Sequence, residues 1–336
     1  MLFKKVAVLA DTHFGRQSNS SQANQDNLDF LEWAIDEART WGANTCIMLG
    51  DWHDNRANIG LATMHYGLRG LEMLSTGFKQ SWFISGNHDL YHRERRDITS
   101  IEFAKHVPNI IVINDPTNID GVSFLPWLLK DEHKTLDLRD VRYVFSHLEL
   151  PGFLLNSRVV MPATAHTPDP KQFAEVEAVY SGHFHARQFS KNICYIGNVM
   201  PFNFTDDNDF DRGLMLLQWG QEPLFKVWPS QPTYRTVKLS ELIDNSDRII
   251  RQNMTLKVAI DMPLEYEEAL EMRDSLVSNY GLRKVELIHY RDELDQTFQT
   301  DSTSIQTVDQ VVIEGLQLID STGLSKERLI EIYRSL

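Results

Sequence analysis

Short apolar runs recur along this chain, and each stops at a glycine or a polar residue: FKKVAVLA from Phe3, NTCIMLG from Asn44, SWFIS from Ser81, NIIVIN from Asn109, VSFLPW from Val122, RYVFSH from Arg142, EAVYSG from Glu177 and ICYIGN from Ile193. Runs this short, rich in β-branched and aromatic residues, predict buried strands. Helical spacing separates the early ones. Leu28, Leu31, Ile35 and Ala38 mark a helix that starts at Asp26 or Asn27 as N-cap and ends before Gly42, after a polar loop over 17–27. Asn58–Ser75 predicts a second helix with Ile59, Met64, Leu68 and Leu71 on one face. GLMLLQW and LFKVWP predict a closing hairpin around Gly220. Strands alternate with helices early and follow one another later. That pattern predicts an α/β fold of two packed mixed β-sheets flanked by helices.

The tail has a different texture. MTLKVAIDM (Met254–Met262), a helix over about 264–280 and KVELIHY form a βαβ-like unit. A polar stretch and two amphipathic segments, TVDQVVIEGLQLID and KERLIEIYRSL, follow it. The expected division is a main domain over 1–240, a small α+β domain over 250–292, a linker over 293–305 and terminal helices over 306–336. The tail reads equally as a packing domain or as a helical pair that docks a partner, since short isolated helices need a surface for their apolar face.

The polar residues that stop the runs change the picture. Asp11 and His13 follow the first run, Asp51 the second, and Asn87, His88 and Asp89 the third; His147 ends another, and His183 and His185 follow the next. Strand ends on one edge of an α/β sheet converge on a crevice where ligands bind. His, Asp and Asn without thiolate suit a pair of Mn, Fe or Zn ions better than Ca. A carboxylate can bridge two cations, and Asp51 is the natural candidate. Two metals about 3.5–4 Å apart activate a water and clamp the oxygens of an in-line phosphoryl transfer, and a positioned His can supply the leaving oxygen's proton. Asp-x-His alone marks many turns, and Gly-His-x-His alone fits a surface loop. Gly-Asn-His-Asp is stronger, with a chance match in a chain of this length at roughly one in a thousand. His65, His92, His106, His133 and His166 lack such a setting and read as ordinary structural histidines, with His53 intermediate.

Composition adds bounds. Hydrophobic residues are 42% and charged residues 24%, as in ordinary globular proteins. Cys46 and Cys194 sit in apolar runs and read as reduced, buried strand residues, which excludes a disulfide framework. No signal-peptide pattern and no membrane-length apolar run is present, so the expected location is cytoplasmic, with no membrane partner. The net charge of −14 opposes simple nucleic-acid binding. The best local basic cluster is Tyr91–Arg96, which reads equally as a solvated helix start.

Asp-x-His, Gly-Asp-x-x-Asp, Gly-Asn-His-Asp, a strand-end His and Gly-His-x-His, in that order over residues 3–230, resemble the calcineurin-like metallophosphoesterase superfamily. GNHDLYH, PWLL, SHLELPGF and YSGHFHARQ, with YIGNVMPFNF, look most like its SbcD-type DNA repair nucleases, among them the recombination endonuclease subunits of T-even-like phages. The resemblance implies a two-metal-activated hydroxide acting on phosphodiester bonds, with Mn²⁺ foremost and Fe²⁺ or Mg²⁺ as substitutes. Asp11, His13 and His185 would hold one ion, Asn87, His147 and His183 the other, and Asp51 would bridge them. His88 would be the general acid, oriented by Asp89. It further implies duplex-end exonuclease and single-strand endonuclease activity on DNA in recombination and double-strand-break repair. The small domain would contact DNA, the terminal helices would dock a coiled-coil, SMC-like ABC-type ATPase, and Asn58–Ser75 would pair two copies in a homodimer. One departure is Ser146, where the family usually has Gly before the strand-end His. The alternative is a metallophosphoesterase for a small nucleotide or phosphomonoester, because the metal chemistry is shared.

Overall fold

A computed structural model of the 336-residue chain describes residues 1–290, apart from 156–158, 165 and 208, together with residue 325. The linker and docking segments expected over 293–336 lie outside the described residues, Ser325 excepted.

Strands are numbered in chain order. In the first sheet β1 (Lys5–Leu9), β2 (Thr45–Met48), β3 (Gln80–Ile84) and β4 (Ile110–Ile113) run parallel, and the hairpin of β11 (Gly213–Gln218) and β12 (Leu224–Val227) closes it antiparallel to β1, in the order β12-β11-β1-β2-β3-β4. The second sheet holds β5 (Thr117–Ile119), β6 (Val122–Leu125), β7 (Tyr143–His147), β8 (Ala178–Gly182), β9 (Gln188–Ser190) and β10 (Ile193–Tyr195), in the order β5-β6-β7-β8-β10-β9. The expected fold class is therefore the observed one. Strands buried on both faces lose the polar alternation of a half-exposed sheet, which is why the runs are apolar throughout. Val6, Val8, Ile47 and Ile84 meet Phe124, Phe145 and Tyr180 between the two sheets. Ala7, Leu9, Cys46 and Met48 face the other way, onto helices Ser21–Trp41 and Leu61–Gly77. Both cysteines are free and buried.

The helices depart from the sequence reading in two places. The first is capped by Ser20, whose hydroxyl accepts from Ala23 N, and not by Asp26 or Asn27. Those two residues lie inside the helix and are buried because tertiary partners take their side chains. The second helix buries Thr63, Gly67, Gly70, Leu71 and Leu74, while Leu68 is exposed. Its core face is a stripe of small residues that lets the backbone approach Trp52 and Phe14, a signal that hydrophobic periodicity does not carry.

Within the compact unit Met1–His289, the segment expected to form the small domain gathers its own core of Val237, Leu242, Met254, Leu256, Val258 and Val285. It starts earlier than expected. β13 (Thr233–Lys238), β14 (Met254–Ile260) and β15 (Lys284–His289) form one parallel sheet, with helices Leu239–Ile249 and Tyr266–Tyr280 as crossovers, so residues assigned to the main domain supply its first strand. No helix among the described residues is long and apolar enough to cross a membrane.

Candidate metal centre

The C-terminal ends of β1, β2 and β3 in one sheet and of β7 and β8 in the other deliver the candidate residues to one place. Parallel pairing puts Leu9 beside Met48 and Met48 beside Phe83, so Asp11, Asp51 and Asn87 leave adjacent strands at the same edge. His147 ends β7 beside Gly182 of β8, just before His183. The loops are tightly wound: Asp11, His13, Asp51 and His183 all have positive φ, at 55°, 48°, 53° and 88°. Backbone strain of this kind gathers at functional sites, where the surroundings over-determine it. Here Asp11 N donates to Gly50 O (3.1 Å) and His13 N to Asp51 O (3.0 Å), lacing the first two loops together.

Asp51 lies at the centre. Its Oδ2 faces His13 Nε2 at 3.6 Å and His147 Nε2 at 3.4 Å, and its Oδ1 accepts from His88 N at 2.8 Å. On one side Asp11, His13 and His185 bring one donor atom each within 4.8 Å of one another. On the other, Asn87 Oδ1 lies 3.0 Å from His147 Nε2 and 2.9 Å from His183 Nδ1. The seven residues singled out as ligands thus fall in two adjoining groups around one carboxylate. Among the described residues, every His, Cys, Asp and Glu group that could hold a metal belongs to this cluster.

The cluster has the character of a cation site. Asp11, Asp51 and His147 are almost wholly buried, and the buried Nε2 atom of His13, which faces Asp51, has no hydrogen-bond partner. Burial raises the Asp11 carboxyl. Burial also works against an ionised Asp51, but His147 and His13 outweigh it and hold that carboxyl well below its ordinary value. Burial would lower His147; Asp51 and Asp11 lift it instead to about 9. Desolvation beside His13 pushes the half-buried His185 well below the usual imidazole range. Protonated imidazole thus offsets the carboxylates here, and divalent cations provide the same compensation more strongly. The donors are nitrogen and oxygen only, which fits Mn, Fe or Zn.

The other ring nitrogens have partners that orient them, as metal-binding histidines require. His147 Nδ1 lies 2.6 Å from Leu49 O, His13 Nδ1 3.2 Å from Asp54 Oδ1, and His183 Nε2 3.6 Å from Glu149 Oε1. His88 Nδ1 lies 2.5 Å from Asp54 O, and a carbonyl can only accept, so Nδ1 carries a proton and Nε2 is left for other work.

Asp89 does not orient His88, contrary to expectation. Its carboxylate turns away and accepts from Asp51 N (2.8 Å), Gly86 N (2.9 Å), Trp52 N (3.1 Å), His53 N (3.4 Å) and Ser100 Oγ (3.1 Å). It clamps the loop that carries Asp51, and burial pushes its pKa up to about 6. Asp54, Glu149 and Trp127, whose ring centroid is 5.0 Å from that of His183, join the site without having been assigned roles. Their signal was present in Gly-Asp-x-x-Asp, SHLELPGF and PWLL, but residue type alone does not say which nitrogen a carboxylate faces. Ser146, in the unusual position, is buried and bonds back to Tyr180 O at 3.4 Å, leaving His147 in place. Arg96 of the basic cluster is committed elsewhere, to Trp127 O, Asp115 and Glu132. His53, buried and pushed down to about 3, meets Ser100 and lies behind the site.

Residues 4–187, more than half of the chain, match the family model for calcineurin-like phosphoesterases. The chain belongs to that family. The phosphoesterase is also similar to "Exonuclease subunit 1" of Enterobacteria phage T4, with 24% identity over 347 aligned positions that span 99% of this chain and 98% of that one. The enzyme is thus a metal-dependent phosphoesterase whose resemblance to the phage protein extends past the phosphoesterase core, through the small domain and the tail.

Proposed function

We propose that this phosphoesterase is a DNA nuclease subunit acting on phosphodiester bonds, at duplex ends and in single strands, within a recombination and repair complex. The observation that carries the reading is the pair of donor groups around Asp51, with the free Nε2 of His88 beside them. Asp11, His13 and His185 would hold one cation, Asn87, His147 and His183 a second, and Asp51 both. When bound, a pair of divalent cations, Mn²⁺ foremost, lowers the pKa of a water and neutralises charge on the phosphate.

The chain's own groups do the rest. Strands and clamped loops hold the donors in position before any ligand arrives, which is what precise sites need. Asp54 fixes His13 by its carboxylate and His88 by its carbonyl. With its Nδ1 proton held by the Asp54 carbonyl, a doubly protonated His88 would give the Nε2 proton to the leaving oxygen as the P–O bond breaks and be left as the neutral Nδ1–H tautomer. Glu149, facing Nε2, and the Trp127 ring, packed against the imidazole, keep His183 in orientation.

DNA as substrate is supported by the near full-length similarity to a protein named as an exonuclease subunit, and by a small domain and tail that phosphomonoester chemistry does not require. The word subunit supports a partner, and the coiled-coil ABC-type ATPase is the one proposed. A homodimer through the helix Leu61–Gly77 is supported by Leu61 and Leu68 on its outer face, 92% and 36% exposed.

The test is release of label from one 3′ end of linear duplex DNA with Mn²⁺, for wild type, His88→Ala and Asp51→Ala, with and without EDTA. Wild type should release label. His88→Ala should lose roughly 10²–10⁴-fold in rate, the range for a general acid, with metal content near wild type, and Asp51→Ala should lose both. Full cleavage by His88→Ala sinks the general-acid role. Hydrolysis of a small phosphodiester without any DNA cleavage would move the assignment to the small-substrate alternative.

A further inference from the structure

Between the first ligand loop and the first helix, the chain makes a turn of unusual shape. Gly15 has φ 95°, and Gln17, Ser18 and Asn19 follow at 55°, 55° and 63°. A left-handed run of non-glycine residues costs roughly 1–2 kcal/mol per residue, so contacts around it must hold it. Asn19 Oδ1 accepts from Thr63 Oγ1 (2.7 Å) and Asn24 Nδ2 (3.0 Å). Gln17 Nε2 donates to two groups: the Phe202 carbonyl at 2.7 Å and the Tyr234 hydroxyl at 2.9 Å. Tyr234 belongs to β13, the first strand of the small domain.

A second connection runs beside the first. Arg16 is buried, with Nη1 on Asn27 Oδ1 (2.8 Å), and its guanidinium lies 4.5 Å from the Phe202 ring centroid. The Phe202 ring stands edge-on to His13 and His185 at 5.5 and 5.3 Å. Asp26 links this group to the small domain: Arg283, next to β15, binds it by two hydrogen bonds of 2.6 and 2.8 Å, while Arg16 Nη2 stands 3.9 Å from the same carboxylate. Two arginines therefore compete for one buried acid, and Arg283 holds it. If Arg283 withdrew, Arg16 would be drawn towards Asp26 against the contacts that now hold its guanidinium over Phe202, to Thr12 O (3.2 Å), Asn27 Oδ1 (2.8 Å) and Met200 Sδ (3.1 Å). Such a choice between two arrangements is the physical form that coupling between sites takes.

We infer that the turn 15–19 is a joint through which the seating of the small domain sets the geometry of the Asp11/His13/His185 position, with Arg16, Gln17 and Phe202 as positioning residues. The inference rests on the two-cation reading of the site. Phe202 backs both histidines of that position, so displacing its ring or its carbonyl moves them together. Among the described residues the Asn87/His147/His183 position has no such connection to the small domain, and it should be indifferent.

Calorimetric titration of chelator-stripped, full-length protein with Mn²⁺ tests this. The variants are Tyr234→Phe, Arg283→Gln and the pair combined; neither residue touches the donor cluster. Metal-free melting curves check that each is folded. Wild type should bind two ions, and His185→Gln identifies which step belongs to the first position. The double variant should weaken that step about threefold to tenfold, short of the tenfold or more that follows loss of a ligand's own bonded partner, and leave the other step within about twofold. Tyr234→Phe, which loses a single hydroxyl, should weaken the same step less. Two unchanged steps in the folded double variant overturn the joint and leave the metal site intact, and equal weakening of both steps overturns its selectivity. Wild type binding no Mn²⁺ overturns the two-cation reading and this inference with it.

Discussion

At the scale of single residues, Asp89 illustrates how geometry redistributes roles. Five donors surround its carboxylate and hold together the loops of Asp51 and Gly86. Asp89→Asn would put an amide N–H against backbone N–H groups. Breaking a buried charged hydrogen-bond network costs about 3–5 kcal/mol, so a large fall in thermal stability should accompany its loss of activity. A variant with wild-type Tm and a purely kinetic defect would restore Asp89 as a partner of His88. The candidate ligands were legible because metal chemistry restricts residue types and the strand pattern orders them. The orienting atoms were not, because Asp54 acts on His88 through its carbonyl, which every residue has.

At the scale of elements, strands announced themselves through unbroken apolar runs, and both sheets follow them. Helix faces were harder. The stripe Ile59, Met64, Leu68 and Leu71 satisfied periodicity, yet Gly67 and Gly70 make the closest approach. A Cβ on Gly67 would meet His53 Nε2 at 2.9 Å, and that ring is fixed by Ser100 at 3.0 Å. Gly→Ala in an exposed helix interior gains about 1 kcal/mol, whereas overpacking a core costs about 1–3 kcal/mol. Here the second effect should win. Gly67→Ala is expected to lower stability by about 1–2 kcal/mol, read as a shift in the midpoint of urea unfolding, and a stabilised variant would show that the helix has room to retreat. The start of the small domain was missed for a related reason: Thr233–Lys238 alternates weakly, and only its pairing with Met254–Ile260 makes it a strand.

At the scale of the molecule, charge sets the terms for a nucleic-acid substrate. The chain carries a net −14, and Arg96, at the heart of its best basic cluster, is bound to Asp115 and Glu132. Repelled by that net charge and anchored only through local Lys and Arg contacts, the subunit alone should hold duplex DNA weakly, and the binding that remains should fall as salt rises. Fluorescence anisotropy at 50 and 200 mM salt measures this; tight binding indifferent to salt would contradict it. A partner that adds phosphate contacts would raise affinity and leave the chemistry where it is.

The pairing of Lys5 with Gln218 has a consequence in time. β1 carries Asp11 and His13 at its end, yet one of its flanks stays open until β11 has been synthesised, after every candidate ligand has left the ribosome. Long-range closure of this kind slows folding, and a chain that has emerged only as far as about residue 200 would hold all seven donors around an unfinished sheet. Catalytic competence should therefore arrive abruptly during synthesis, when the hairpin after Gly213 seals the edge, and nascent chains stalled before that point should be open to proteases in their first strand.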